Sequence, residues 1–183
     1  NKGDILGYFV IFAVLGACLY KYYDDIESFQ LKCVVSEVDG NKYCVRERDQ
    51  LTNAVDLLAT VTNKCSDLVE YMKKTHPDNE SVKRLVGGFN PNAITETLPT
   101  SKFTAYSENK GEKIAFCLNK KKENNDNLID EKTLMFVAIH ELAHIMTLSI
   151  GHKKEFWDNF KFLLENAKEA GLHDPIDYKK EPQ

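Results

Sequence analysis

The sequence predicts an α+β fold, with long helices and antiparallel hairpins in separate stretches of chain and one apolar helix at the start. Three observations predict it. Apolar residues recur every three or four positions from Leu51 to Met72, the period falls to two between Phe103 and Leu118, and an uncharged run covers Ile5 to Tyr20. The 183 residues carry 24 Lys plus Arg against 28 Asp plus Glu, a formal net charge of -4, and 43% are hydrophobic. That composition excludes a disordered or collagen-like chain, and the length suits one domain with an appendage. A mildly acidic chain has no basic field to neutralise phosphates, so nucleic acid is not an expected partner.

The first element is the apolar run. Its 16 uncharged residues fall a turn short of the roughly 20 that span a bilayer. Lys21 can snorkel while Tyr22 and Tyr23 sit among headgroups, which extends the usable span to Tyr23. Residues 1–23 are therefore expected to form a single-pass membrane anchor, with lipid contact through residues 5–23 and a membrane location. Two alternatives stay open. A cleavable signal peptide would end in small residues rather than Cys18-Leu19-Tyr20-Lys21, and a buried core helix would show a polar stripe. One Lys on each side leaves sidedness undecided.

Residues 24–48 read as a membrane-proximal hairpin, with Leu31–Val35 and Lys42–Val45 flanking the turn signal Val38-Asp39-Gly40-Asn41. Cys33 and Cys44 lie on its two arms, a placement that permits a cross-strand bridge. With Cys65 and Cys117 there are three ways to form two disulfides, and four buried free thiols are the competing reading.

Residues 49–173 form the main domain and residues 174–183 a polar tail. A long amphipathic helix starts at Asp49 and ends before Pro77; a second, Glu80–Val86, stops at Gly87-Gly88. Phe89 to Thr100, with Pro91 and Pro99, reads as a surface connection. Strands follow at Phe103–Ser107 and Lys113–Leu118 around the turn Glu108-Asn109-Lys110-Gly111, and Asn119–Asn127 reads as a solvated loop. Asp130 is the expected N-cap of an apolar helix over Thr133–Leu148. A last helix, Lys153–Ala170, puts Phe156, Trp157, Phe160, Leu163, Leu164 and Ala167 on one scaffold stripe and stops at Gly171. His76 and His173 lie in polar stretches and read as surface residues.

The chemistry sits in His140-Glu141-Leu142-Ala143-His144. On a helix, residues i and i+4 are rotated by only about 40°, so both imidazoles project on one face and can share a tetrahedral cation. Glu141 lies beside that face, placed to take a proton from water at the metal. A catalytic zinc site keeps three protein ligands and one open position. His152 is the expected third ligand, since Gly151 can adopt a positive φ and turn the chain back over the metal.

HELAH, then Gly151-His152, then Phe156-Trp157 resembles the HExxH zincins of the WLM and SprT-like zinc metallopeptidase families. It is most similar to the compact WLM-like proteins of large DNA viruses and algae. The resemblance runs from about Thr100 to Gly171 and includes Tyr106-Ser107-Glu108-Asn109 and the strand Lys113–Leu118. It implies a minimal zincin-like metallopeptidase domain: a small antiparallel sheet beside the motif helix, with a second helix covering the site. It further implies Zn2+ held by His140, His144 and His152, Glu141 as general base, and a protein or peptide substrate. Seven residues separate His144 from His152, more than in many SprT-like patterns. The nucleic-acid and modifier-binding segments of the crosslink-repairing relatives have no visible counterpart.

Two functions from different classes follow. The first is a membrane-anchored zinc peptidase in which Tyr106 is a further catalytic candidate, as a phenol donor to the oxyanion, and Lys113–Leu118 is the edge strand that holds substrate. The alternative is a non-catalytic, membrane-associated component of a large DNA virus particle, a minor capsid protein that keeps the zincin-like fold and meets other capsid or membrane proteins of the virion.

Overall fold

The computed structural model describes residues 2–28, 31–98, 101–121 and 124–174, with side chains placed at these except 2–7, 22–28, 121 and 124–126. In chain order the elements are α1 (Lys2–Ser28), β1 (Leu31–Val35), β2 (Lys42–Arg46), α2 (Leu51–Thr75), α3 (Glu80–Gly88), a 3-10 turn (Pro91–Ala93) and β3 (Ile94–Glu96). Then come β4 (Ala105–Glu108), β5 (Lys113–Phe116), β6 (Asn119–Lys121), β7 (Asn124–Leu128), α4 (Glu131–Met146) and α5 (Lys154–Glu169). Of the expected polar tail, residues 175–183 lie outside the described residues, as do the side chains of Tyr22 and Tyr23.

The apolar run is helical, but among the described residues no helix is long and apolar enough to cross a membrane. The reason is length. Sixteen uncharged residues rise only about 24 Å at about 1.5 Å each, against a hydrocarbon core of about 30 Å. The helix then runs on through Lys21, Asp24, Asp25 and Glu27. The expected single-pass anchor over residues 1–23 and the membrane location built on it are therefore corrected, and the lipid contact through residues 5–23 loses its basis. The core-helix alternative also fails, because every residue from Tyr8 to Lys21 is exposed.

The core lies between α2, α4, α5 and a small sheet. Helix α2 buries Val55, Leu58, Val61, Cys65, Leu68 and Met72 on the face that the heptad-like spacing foretold. Helix α4 is apolar almost all round because it is central, packing against α2, α3, α5, β4 and β5. The sheet has the order β3-β5-β4. It is mixed, since β4 runs antiparallel and β3 parallel to β5. A wholly antiparallel sheet was expected, and so was an edge position for the strand at Lys113; β5 is instead the middle strand, with β3 and β4 at the two edges.

Two stretches read as irregular are strands. The connection over 89–100 supplies β3, which buries Ile94 and Glu96. The Lys- and Asn-rich segment forms the β6–β7 antiparallel pair. Glu96 is only 1% exposed and is matched by two arginines. Its carboxylate accepts from the Arg46 backbone N–H at 2.7 Å and pairs with the Arg48 guanidinium, which also reaches Asn119 Oδ1 at 2.9 Å. Arg46 donates to the Thr97 and Leu98 carbonyls at 2.7 and 2.8 Å. This buried network ties the β1–β2 hairpin to β3 and β6. On that hairpin Cys33 and Cys44 are directly opposite and form a disulfide, whereas Cys65 and Cys117 are buried free thiols and Cys18 is an exposed one.

Helix α3 touches the β4–β5 turn backbone to backbone. A Cβ on Gly88 would sit 2.8 Å from the Lys110 carbonyl oxygen, and one on Gly111 would collide with the Gly88 carbonyl. The turn itself needs left-handed backbone, at Asn109 (φ 46°), Lys110 (φ 58°) and Gly111 (φ 109°).

Candidate metal centre and cleft

Helix α4 starts where expected, with Asp130 Oδ1 accepting from the Thr133 N–H at 2.9 Å. That contact, with further help from the Thr133 hydroxyl, holds the Asp130 carboxyl below its usual range despite burial. The helix ends at Met146, two residues before the expected Leu148, because Thr147 takes extended backbone (φ -96°, ψ 130°).

The stretch from Met146 to His152 is held by four side chains. Lys110 Nζ donates to the carbonyls of His144, Thr147 and Ser149 at 3.2, 2.5 and 3.4 Å, a cation at the negative end of α4. The Glu155 carboxylate accepts from the Leu148 and Ser149 N–H groups at 3.0 and 3.1 Å, which holds its carboxyl below the usual range. Arg84 donates to the Met146 carbonyl at 2.8 Å. Asn159 donates to the Thr147 hydroxyl at 3.0 Å, and Gly151 then turns with φ 79°. The longer spacer before His152 is thus accommodated as a held loop.

The loop delivers His152 onto the helix face that carries His140 and His144. One nitrogen from each ring lies within 4.8 Å of the other two. His140 Nε2 and His152 Nε2 face each other at 3.0 Å, and His140 Nδ1 contacts Glu141 Oε1 at 3.1 Å. If Nδ1 carries the proton, it donates to the carboxylate and the Nε2 lone pair turns toward the other rings, the tautomer a metal ligand requires. Two nitrogens each about 2.0 to 2.1 Å from a tetrahedral cation stand about 3.3 Å apart. The His140–His152 pair, at 3.0 Å, is close to that spacing, and the three nitrogens together lie within 4.8 Å of one another.

Burial lowers the His144 pKa, repulsion from His140, His152 and Lys110 lowers it further, and Glu141 partly opposes this. A neutral imidazole is the form that binds metal. Beneath the trio lies Phe156, wholly buried, with ring centroids 4.9, 4.4 and 4.7 Å from His140, His144 and His152.

The trio opens into a cleft of about 600 Å³, lined by β4 and its flanks (Phe103, Ala105, Tyr106, Ser107, Asn109 and Lys110), by Ile150, Gly151 and His152, and by Glu141. Edge strand β4 forms one wall. Tyr106 is thereby brought beside the histidines, its ring edge-on to Phe103 at 6.1 Å.

No family model matches the chain. Its backbone superposes on two crystal structures of Wss1 from Saccharomyces cerevisiae, one of them a mutant, at TM-scores of 0.51 and 0.53 and 20% identity. Those matches cover 68% and 70% of this chain and 86% and 91% of the other. The fold is Wss1-like. Its sequence relatives are viral: uncharacterized protein R325 of Acanthamoeba polyphaga mimivirus is 26% identical over 153 residues, 81% of this chain and 77% of its own length. Protein 136R of Invertebrate iridescent virus 6 is 39% identical over 61 residues, 33% of this chain and 34% of its own. These likenesses show a Wss1-like fold and viral relatives; they do not support a virion location or a minor capsid role.

Within this Wss1-like fold three expectations about aromatic and histidine residues need adjustment. Phe156 is scaffold, but Trp157 is 52% exposed and serves the loop, its indole N–H donating to the His152 carbonyl at 3.1 Å. His173 is buried, and His76 is half-buried with its Nε2 3.0 Å from Asn166 Oδ1. The residues that hold the loop went unnoticed in the sequence. Glu155 sits three positions after His152 and looks like a routine first-turn acid, while Lys110 and Arg84 meet the loop only through the tertiary fold.

Proposed function

We infer that the chain is a zinc-dependent peptidase acting on protein or peptide substrates. The observation that carries this reading is the convergence of three imidazoles and one nearly buried carboxylate, Glu141, in a cleft walled by a free strand edge. The likeness of the fold to Wss1 supports a peptidase kind. His140, His144 and His152 would hold the ion, and bound zinc would supply Lewis acidity toward water and the scissile carbonyl. Glu141 takes a proton from the attacking water and returns it to the leaving amine nitrogen. The outer edge of β4 hydrogen-bonds an extended substrate through its main chain, and Tyr106, on that strand, donates its phenol O–H to the developing oxyanion.

The test compares the parent chain with Glu141→Gln for metal content by elemental analysis and for cleavage of an unfolded protein, with a chelator control. One zinc per chain in both, with turnover lost by at least about a hundredfold in the variant, is expected for a missing general base. Equal cleavage by both proteins refutes the mechanism. Full zinc occupancy without any cleavage by the parent points instead to a non-catalytic, metal-stabilised domain.

A further inference from the structure

The cleft carries more apolar surface than the proposed chemistry uses. Phe103 and Ile150 both line it, and they are 64% and 86% exposed. Exposed side chains of that size on a free-floating loop would mean little, but both neighbours of Ile150 belong to the held segment. Ser149 is bonded through its N–H to Glu155 and through its carbonyl to Lys110, and Gly151 is fixed in a left-handed turn. Ile150 is therefore carried on a held stretch of chain that leads directly to His152. Apolar surface clustered at the mouth of a concave site is a mark of recognition.

The charges of the cleft narrow the partner further. Among its described lining residues outside the histidine trio, only Lys110 and Glu141 are charged. Lys110 is bound to three carbonyls, and Glu141 is 4% exposed against His140. The Asn109 side-chain amide is likewise taken up, donating to Glu112 at 2.7 Å. This lining offers no free ion to a charged substrate side chain, and desolvating one there would be unfavourable.

Resting on the peptidase reading, we propose that Phe103 and Ile150 form an apolar clamp that takes a large aliphatic or aromatic side chain of an extended polypeptide segment lying along β4. The substrate class is then unfolded or exposed polypeptide with an apolar residue beside the scissile bond, the kind of segment a folded protein keeps in its core.

The test uses the full chain loaded with zinc and a set of unstructured peptides identical except at one position near the cleavage point, where Leu, Phe, Ala, Asp or Lys is placed. The expected kcat/KM for Leu and Phe exceeds that for Ala by about tenfold or more, the range one hydrophobic pocket delivers, with Asp and Lys no better than Ala. Phe103→Ser combined with Ile150→Ser flattens these ratios; both side chains are exposed, so unchanged melting and zinc content serve as controls. The same peptides, labelled with a fluorophore, are titrated into zinc-loaded Glu141→Gln with and without the two Ser substitutions. Hydrolysis with equal rates across the set, or ratios that persist in the Ser variant, overturns the clamp while leaving the peptidase intact. Absence of hydrolysis with tighter binding of Leu and Phe peptides that the Ser substitutions abolish supports the clamp and removes the peptidase. Equal or undetectable binding of all five peptides without hydrolysis overturns both.

Discussion

Truncating Phe156 to Ala should damage both the fold and the metal site, whereas truncating its neighbour Trp157 should damage neither to the same degree. Phe156 is fully buried and lies under all three imidazoles. Removing a buried Phe costs about 3 to 5 kcal/mol through lost transfer energy and the cavity left behind. At about 3 °C per kcal/mol for a chain of this size, melting should fall by about 9 to 15 °C. Trp157 is 52% exposed, so only about half its area is withdrawn from water, and its truncation should cost about 2 kcal/mol, or about 6 °C. The aromatic floor also orients the ligands. Its loss should weaken zinc binding by about 10- to 100-fold, the range for groups that orient metal ligands. Scanning calorimetry on chelator-treated protein isolates the packing effect, and competition with a chromophoric chelator then reads the affinity. Equal melting temperatures for the two variants would refute the assignment of Phe156 as core and Trp157 as rim. Unchanged zinc affinity in Phe156→Ala would refute its role as the floor of the site.

His152→Ala should weaken zinc binding while leaving melting of the metal-free protein nearly unchanged, since this side chain is exposed; unchanged affinity would place the third ligand elsewhere. Glu96→Gln should cost about 3 to 5 kcal/mol, the penalty for stranding buried charge, because the Arg46 and Arg48 side chains are only 3% and 1% exposed; urea unfolding reads the difference. Tyr43, whose hydroxyl donates to Asp39 at 2.6 Å, is pushed by burial and by that carboxylate up to about 12 from 10.0. A raised pKa contributes stability that is whole below pH 10.0 and lost as pH climbs through about 12. The stability gap between parent and Tyr43→Phe should therefore shrink across that window, and a constant gap in urea titrations would contradict it.

Local signals were legible and long-range ones were not. The HELAH spacing sits on a real helix, with Asp130 as its cap, because capping and i, i+4 geometry are properties of a few consecutive residues. The α2 periodicity and the β1–β2 and β4–β5 turns were readable for the same reason. Strand β3 was not. It lies between Pro91 and Pro99, carries a Glu that becomes buried, and exists through parallel pairing with β5, some twenty residues later. Nothing near Glu96 announces that Arg46 and Arg48 will neutralise it. The β6–β7 pair is built from Asn and Lys, residues of low strand propensity, so tertiary context decides it. The apolar run of α1 is legible as a helix, but extending it through Lys21 to Tyr23 does not make it long and apolar enough to cross a bilayer.

The contact between Gly88 and Gly111 sets α3 against the β4–β5 turn with no side chain between them. Backbone rests on backbone there, so α3, the β4–β5 turn and, through Lys110, the end of α4 are locked into a single block. A side chain at either glycine would have to force the two backbones apart. The stretch between Thr147 and His152 is fastened differently, by side-chain hydrogen bonds, and Lys110 of the same turn supplies two of them. If Phe103 and Ile150 grip substrate as proposed, sequence drift at those two exposed positions would retune what is gripped and leave these fastenings untouched.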